Sequence, residues 1–322
     1  MKTKTIEKVI KKKLDAWFAT ITDDNVRALA SKNSIVTGGS IASMLLNEKV
    51  NDFDIYFRNK ETALAVSKYY AKGYPVKVIN GADYQNYKAN DEVWIDGQRV
   101  EDHSQFTLFV KDITPDRVAL FMHGVNYYSV TGDGSLMAEQ DELDQSGINI
   151  FSSINEAKEK VEEGSYKPLF FTANAITLSD QVQLVIRFHG EPEELHKNYD
   201  YVHATNYYDS GEGLLYTNKA AIESLLTKEL RYIGSLYPLT SVIRSKKFIK
   251  RGWSITAGEY LKMLFQVAEL DLKDPAVLST QLIGIDIAFF SILIEVLGNR
   301  DTVSHPTVTY PYICEVIDRI FN

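Results

Sequence analysis

The sequence predicts an α+β protein. It has a mixed sheet with helices in its first part, a β-rich insertion, and an α-helical C-terminal domain. Three observations predict this. Ile6 to Thr20 places Ile6, Val9, Ile10, Leu14, Trp17 and Phe18 at helical spacing, with a lysine-rich opposite face. Ile35-Val36 and Phe53 to Phe57 read as strands separated by a glycine turn and a short apolar helix. From Thr217 onward the apolar residues return to helical spacing.

Composition sets the outer bounds. The 322 residues are 45% hydrophobic and 24% charged, ordinary for a globular protein and enough for two domains. A formal net charge of -8 excludes a wholly basic nucleic-acid-coating protein but leaves room for a local basic patch. The lone cysteine, Cys314, lies in an apolar helix pattern and reads as a small core residue, so no intrachain disulfide forms and a reducing, cytoplasmic setting fits. Met1 to Leu14 lacks an apolar signal core, which argues against secretion. The longest apolar run, Ile283 to Leu297, contains Asp286 and Glu295 and is short for a bilayer span. It reads as a buried helix, and no membrane partner is expected. The 19 tyrosines are scattered and define no stacking platform.

The elements follow in order. Asp23 to Ala30 reads as a second helix. Ser40 is placed to cap a helix over Ile41 to Leu46. Glu61 to Ala71 is the next helix, with Ala63, Val66 and Tyr69 or Tyr70 inward. Val76 to Ile79 reads as a strand, and Val93 to Val100 as a hairpin turning at Asp96-Gly97. Phe106 to Val110, Arg117 to Phe121 and Val125 to Val130 are further strands. Gly132 to Gly147 reads as a loop whose acidic cluster has no calcium-loop spacing, and Asn155 to Glu163 as a short charged helix. Phe170 to Ile176, Val182 to Phe188 and Tyr199 to Ala204 read as strands, with a short helix opening near Pro192. Helices are expected over Lys219 to Ile233, Leu239 to Ile249, Thr256 to Glu269, Pro275 to Leu297 and Tyr310 to Ile320. The domain division that follows is 1–82, 83–167, 168–215 and 216–322.

The chemistry concentrates in Gly38-Gly39-Ser40 and Asp52-Phe53-Asp54. Glycines permit backbone conformations and close approaches that other residues resist. A helix N-terminus offers free N–H groups and a positive dipole end, which together suit phosphate. Asp52 and Asp54 are two apart on a strand and share one face, while Phe53, Ile55 and Phe57 point into the core. Paired carboxylates are hard oxygen ligands for Mg²⁺ or Mn²⁺, which also bind substrate phosphates. The same residues also fit a plain turn, a helix cap and an exposed strand edge.

The ordered pair, Gly38-Gly39-Ser40 and then Asp52-Phe53-Asp54, resembles the signature of the DNA polymerase β-like nucleotidyltransferase superfamily. Within it the chain looks most like nucleotidyltransferases of tailed phages. The core signature covers Ile35 to Phe57. A second stretch, from Phe171 through Asn174-Ala175-Ile176, Gln183-Leu184-Val185, Gly190-Glu191-Pro192-Glu193-Glu194 and Tyr199-Asp200-Tyr201, resembles the same phage proteins. The resemblance implies that Asp200 is the third carboxylate, on a strand beside Asp52 and Asp54. It also implies a host-cytoplasm setting if the chain is phage-encoded. Asp180 and Asp209 are weaker rivals in turn-like stretches. A run similar to Arg244-Ser245-Lys246-Lys247-Phe248-Ile249-Lys250-Arg251-Gly252 also occurs in the phage family.

Arg244, Lys247 and Arg251 stand near helical spacing, as a stripe facing triphosphate or an RNA backbone, or as a solvated helix face. Trp253 is a candidate for base stacking or for capping a domain junction. His189, His196 and His203 read as surface or hydrogen-bonding residues rather than metal ligands. The expected activity is metal-dependent transfer of an NMP from an NTP to a hydroxyl, with pyrophosphate leaving. The acceptor stays open among an RNA 3′ end (tRNA-like), a small molecule and a protein. The alternative is a binding or assembly protein on a degenerate transferase fold, with the insertion as its interaction module.

Overall fold

The computed structural model describes residues 2–71, 164–172 and 174–274, the isolated residues 277 and 281, and a set of strands between residues 76 and 138. They fall in two compact units. The first is drawn from Met1–Asp141, Ser153–His196 and Ala204–Asn218, the second from Glu142–Ser152, Lys197–His203 and Lys219–Asn322.

The first unit begins with α1 (Thr3–Thr20). It buries Ile6, Ile10, Leu14, Trp17 and Phe18 and leaves Val9 38% exposed, at the margin of the apolar stripe. Trp17 donates its indole N–H to the Tyr70 hydroxyl at 2.7 Å, which satisfies the one polar atom that its burial would otherwise strand. In α2 (Asp24–Asn33) the cap is Asp23, whose carboxylate accepts from the N–H groups of Asn25 and Val26. The chain then passes through β1 (Ser34–Thr37), α3 (Gly39–Leu46), β2 (Phe53–Phe57) and α4 (Lys60–Ala71). Strands β1 and β2 are antiparallel, with Val36 opposite Ile55. Phe53, Ile55 and Phe57 are buried, whereas Asp54 and Tyr56 on the other face are half-buried. Of the two inward candidates on α4, Tyr70 is buried. Tyr69 instead accepts from the Thr22 N–H through its hydroxyl.

The middle of the chain is β-rich, as the sequence predicts: β3 (Val76–Ile79), β4 (Trp94–Ile95), β5 (Gln98–Arg99), β6 (Leu108–Thr114), β7 (Arg117–Met122), β8 (Tyr127–Val130) and β9 (Leu136–Ala138). Ile95 pairs with Gln98, leaving two residues between the strands, as an Asp-Gly hairpin requires. β9 falls inside the stretch expected to be loop. Three consecutive apolar residues there pair with β8, which periodicity over so short a run does not reveal. The expected helix over Asn155 to Glu163 lies outside the described residues.

Phe170 to Ile176, expected as one strand, is a hairpin of β10 (Pro168–Thr172) and β11 (Ala175–Leu178). The reversal sets Phe171 opposite Ile176, so both are buried, and the Asn174 carbonyl accepts from the N–H groups of Ile186 and Arg187. β12 (Val182–His189) lies parallel to β2, with Gln183 level with Asp54 and Leu184 with Ile55. After α5 (Pro192–His196), β13 (Tyr207–Asp209) and β14 (Leu214–Tyr216) complete an edge. The sheet order is β14-β13-β1-β2-β12-β11-β10-β8-β9. β2 is therefore central, between an antiparallel and a parallel neighbour. The fold class is α+β with a mixed sheet.

The second unit holds α6 (Lys219–Thr227), β15 (Glu229–Leu230), α7 (Pro238–Lys250), β16 (Ser254–Ile255) and α8 (Ala257–Ala268). The helix expected through Ile233 ends at Thr227. Lys228 takes φ 50° and turns the chain into β15, which pairs in parallel with β16. Tyr199 to Ala204, expected as a strand, makes a single bridge between Tyr201 and Tyr232 and then a 3-10 turn over Val202–Ala204. Its aromatic residues serve packing rather than a ladder. Tyr201 is fully buried and donates its hydroxyl to the Ser241 carbonyl at 2.7 Å. The helix over Tyr310 to Ile320, Cys314, and all of Pro275 to Leu297 except Val277 and Gln281 lie outside the described residues. No helix among the described residues is long and apolar enough to cross a membrane.

The core makes a direct expectation. Trp17→Ala should cost about 3–5 kcal/mol, and Trp17→Phe, which keeps most of the volume but removes the donor to Tyr70, should cost about 1–3 kcal/mol. Urea denaturation of the two variants checks the order. A Trp17→Phe variant as stable as wild type would show that the hydrogen bond is irrelevant.

Candidate functional site

The site starts where β1 ends. Gly38 has φ 95° and ψ -149°, a region in effect open only to glycine. This turn makes Gly38 the N-cap of α3 and Gly39 its first residue. Ser40 is therefore inside the first turn and does not cap the helix, contrary to the sequence expectation. The freed hydroxyl matters more than a cap would. Ser40 is 3% exposed, and its Oγ has no hydrogen-bond partner among the described residues. Leaving such a group unsatisfied costs about 1–3 kcal/mol, and native proteins keep few of them. Gly39 has an ordinary helical backbone, and a Cβ built on it meets nothing within 4 Å. Packing does not require glycine at this position. The open space lies against the first turn of α3, where the backbone N–H groups have no intrahelical acceptor.

Thr37, the last residue of β1, ties this turn to the segment before β13. Its Oγ1 donates to the Asn206 carbonyl at 2.9 Å, and the Gly38 N–H donates to the Ala204 carbonyl at 3.1 Å. With that donor committed, Thr37 Oγ1 accepts from His196 Nε2 at 2.9 Å, which assigns the tautomer of the imidazole. Burial lowers the His196 pKa to about 4, against the opposing pull of the Glu193 carboxylate, so the ring is neutral near pH 7.

The two carboxylates lie on the strand next to this turn. Continuing the Val36–Ile55 register by one residue sets Thr37 level with Asp54. Asp52 is exposed and stands one residue before β2. The strand start is fixed by the Phe53 N–H donating to the Gln181 carbonyl at 2.7 Å. On the other side of Asp54, the neighbouring position is Gln183, a carboxamide. Asp52 and Asp54 are suitable ligands for a divalent cation. Among the described residues, however, no three His, Cys, Asp or Glu side chains gather into a metal cage.

The two rival aspartates are committed elsewhere. Asp180 accepts from the Gly164 N–H at 2.7 Å and from the Ser179 hydroxyl at 3.0 Å. Asp209 is on β13, not in a turn. It accepts from the N–H groups of Gly211 and Glu212 and pairs with Arg58, which also pairs with Glu191.

Asp200 is in the second unit and not on a strand, where the sequence reading expected a strand. The strands flanking β2 are β1 and β12. Asp200 pairs with Arg244 and accepts from the Tyr201 N–H at 3.0 Å. The expected third carboxylate and the first residue of the expected phosphate stripe thus neutralise one another. Lys247 is exposed on α7, and Arg251 lies beyond its last turn, 5.8 Å from the Phe248 ring centroid. Arg244 and Lys247 are on α7, and Arg251 is its C-cap. Trp253 is buried against His203 and Phe248, which closes it to stacking on a base. Burial also lowers the His203 pKa to about 4.

The profile of a family described as "Gabija anti-defense 2 family protein" matches residues 8–228. The chain belongs to the Gabija anti-defense 2 family. The match spans the glycine turn, both carboxylates, Asp200 and Asp209. No curated protein matches the chain in sequence. Among solved structures, this anti-defense family member is similar to the Thermotoga maritima CCA-adding enzyme complexed with tRNA. The identity is 14% and the TM-score 0.34, over 92% of this chain and 56% of the other. It is also similar to the Bacillus stearothermophilus CCA-adding enzyme in complex with CTP, at 10% identity and TM-score 0.34, over 88% of this chain and 52% of the other. The chain spans about half the length of these solved structures.

Sequence reasoning missed Gln183, Arg58 and Asn206 around the Gabija anti-defense 2 turn. Gln183 stands in the second resembling stretch but carried no role there, Arg58 and Asn206 stand in no motif, and the place of Gln183 beside Asp54 arises from strand pairing. His196 is a hydrogen-bonding histidine, as expected, but its partner Thr37 could be found only in three dimensions.

Two measurements test this geometry. Gly38→Ala should lose about 1–3 kcal/mol because alanine is strained at this φ and ψ, whereas Gly39→Ala should leave stability unchanged or slightly raised. Equal unfolding midpoints for the two variants would contradict the turn. His196 and His203 bind protons more readily unfolded than folded, so their contribution to stability is complete above about pH 6.5 and is lost as pH falls toward 4. His196→Gln should flatten part of that decline in a pH series of denaturation curves.

Proposed function

We propose that the first unit binds a nucleoside triphosphate and transfers its NMP to a hydroxyl acceptor, and that this chemistry serves the anti-defense role in the family's name. One observation carries the reading: Ser40 Oγ, buried and unpartnered on the first turn of α3, beside the open space at Gly39. A phosphate oxygen is the acceptor that this hydroxyl and the free N–H groups of the turn lack.

In this reading the triphosphate lies against Gly38, Gly39 and Ser40. Gly38 supplies the backbone turn, Gly39 the room for close approach, and Ser40 a hydrogen bond. Asp52 and Asp54 would hold Mg²⁺ or Mn²⁺, which supplies positive charge against the phosphates when bound. The acceptor oxygen forms a bond to the α-phosphorus. The bond from that phosphorus to the bridging oxygen breaks, pyrophosphate leaves, and the acceptor proton passes to solvent. Thr37, held by His196 and the Asn206 carbonyl, keeps the end of β1 aligned with Asp54. Asp200 and Arg244 act as an ion pair within the second unit, and Lys247 and Arg251 are surface cations available to a polyanionic acceptor. RNA, protein and small-molecule hydroxyls remain the acceptor classes.

The neutral Gln183 beside Asp54 favours a second reading, in which the site binds nucleotide without turnover and the protein acts by sequestering or docking. A single set of experiments separates the two. Purified protein is incubated with each α-labelled NTP, Mg²⁺ or Mn²⁺ and either mixed tRNA or cell extract, and label transfer and pyrophosphate are followed. Asp52→Asn plus Asp54→Asn should lower transfer at least 100-fold and should abolish protection against Gabija in cells. If the double variant protects as well as wild type, the catalytic reading is wrong, and binding without transfer supports the second.

A further inference from the structure

Asn206 is the most completely buried carboxamide beside the glycine turn, at 1% exposure, and the nucleotide reading leaves it without a role. Its orientation is set by its neighbours. The Asn218 N–H donates to Asn206 Oδ1 at 2.9 Å, so Oδ1 faces Asn218 and Nδ2 occupies the other end of the amide. That Nδ2 has no hydrogen-bond acceptor among the described residues.

The location gives the orphan its meaning. Ala204 to Tyr207 is laced to Thr37 and Gly38. The Gly38 N–H reaches the Ala204 carbonyl, Thr37 Oγ1 reaches the Asn206 carbonyl, and Tyr207 pairs with Thr37 in the β1–β13 register. Two buried donors without acceptors, Ser40 Oγ and Asn206 Nδ2, therefore come from two different segments joined at one turn. The neighbouring Asn218 side-chain amide donates to Thr205 Oγ1 at 3.1 Å. Orphan donors on the two segments joined at this turn call for a ligand that presents several oxygen acceptors and no donor, and a fully ionised polyphosphate is such a ligand.

We propose that Asn206 is a nucleotide-binding residue whose Nδ2 donates to the triphosphate of the bound NTP. The inference rests on the nucleotide reading of the Gly38–Ser40 turn and adds a second wall to that site. Asn206 would hold the phosphates from the β13 side while Ser40 holds them from α3. The residue would thereby couple substrate binding to the alignment of Thr37.

The test uses the full-length protein and isothermal titration with each of the four NTPs, and separately with inorganic tripolyphosphate, all with Ca²⁺ to limit turnover. Asn206→Asp is the informative variant. It keeps an oxygen to accept from Asn218 but replaces the donor with a negatively charged oxygen. It should weaken NTP and tripolyphosphate alike by at least tenfold, with Asn206→Ala weakening both by a smaller factor. Loss of NTP affinity with unchanged tripolyphosphate affinity would assign Asn206 to the ribose or base and overturn the proposal. Undiminished affinity for both would make Asn206 purely structural. If wild type binds no NTP at all, the nucleotide reading itself falls. Should Asn206→Asp fail to fold, the wild-type side-chain amide signals of Asn206, read by NMR with selective asparagine labelling, should shift on adding tripolyphosphate. Unmoved signals would overturn the proposal.

Discussion

The backbone of Gly38 is the constraint on which the candidate site depends. Its conformation directs the chain from the sheet into α3 without a connecting loop. Any other residue would be strained there, and the chain would need extra length to reverse. Because the reversal occurs at Gly38, Ser40 falls inside the helix and its hydroxyl is left over. The Gly38 N–H is anchored on Ala204, and Thr37 on Asn206 and His196, so the turn is held from its N-terminal side. The site is built on a rigid element rather than on a mobile loop, which is the arrangement binding chemistry favours.

The sheet supplies the second requirement. β2 is central and buries Phe53, Ile55 and Phe57 against the helices, so its register is set by the core. A one-residue slip would bring Asp54 into the core and a phenylalanine to the surface. The cost of burying an unpaired carboxylate makes that slip unfavourable, and the position of Asp54 follows from packing alone. Arg58, immediately after β2, binds Glu191 and Asp209 and so links the strand to segments on either side of it.

The second unit follows a different logic. Tyr201, His203, Phe248 and Trp253 pack ring against ring, and Asp200 and Arg244 form an ion pair at the edge of that cluster. Aromatic and β-branched residues favour strands because they fill a pleated, half-buried surface. The same bulk fills a cluster between helices equally well. Tyr199 to Ala204 therefore carries a strand's composition but pairs at a single bridge. The Arg244 to Arg251 run shows the related ambiguity of charge. Its spacing is helical, but whether a cation meets solvent, a ligand or Asp200 is decided by what lies across from it.

By itself the sequence determined the local chemistry. The apolar spacing of α1, the order of β1, α3 and β2, the Asp-Gly hairpin and the sides taken by Phe53 and Asp54 all follow from periodicity and glycine placement, which act over a few residues. Tertiary structure alone decided what is paired with each strand residue, because strand partners are chosen by burial across long sequence separations. It placed Gln183 beside Asp54, committed Asp209 to Arg58, and brought Asn206 to Thr37 across 169 residues. No local pattern encodes such contacts. Each depends on the registers of β1, β12 and β13, and those registers are fixed only once the shared core has closed.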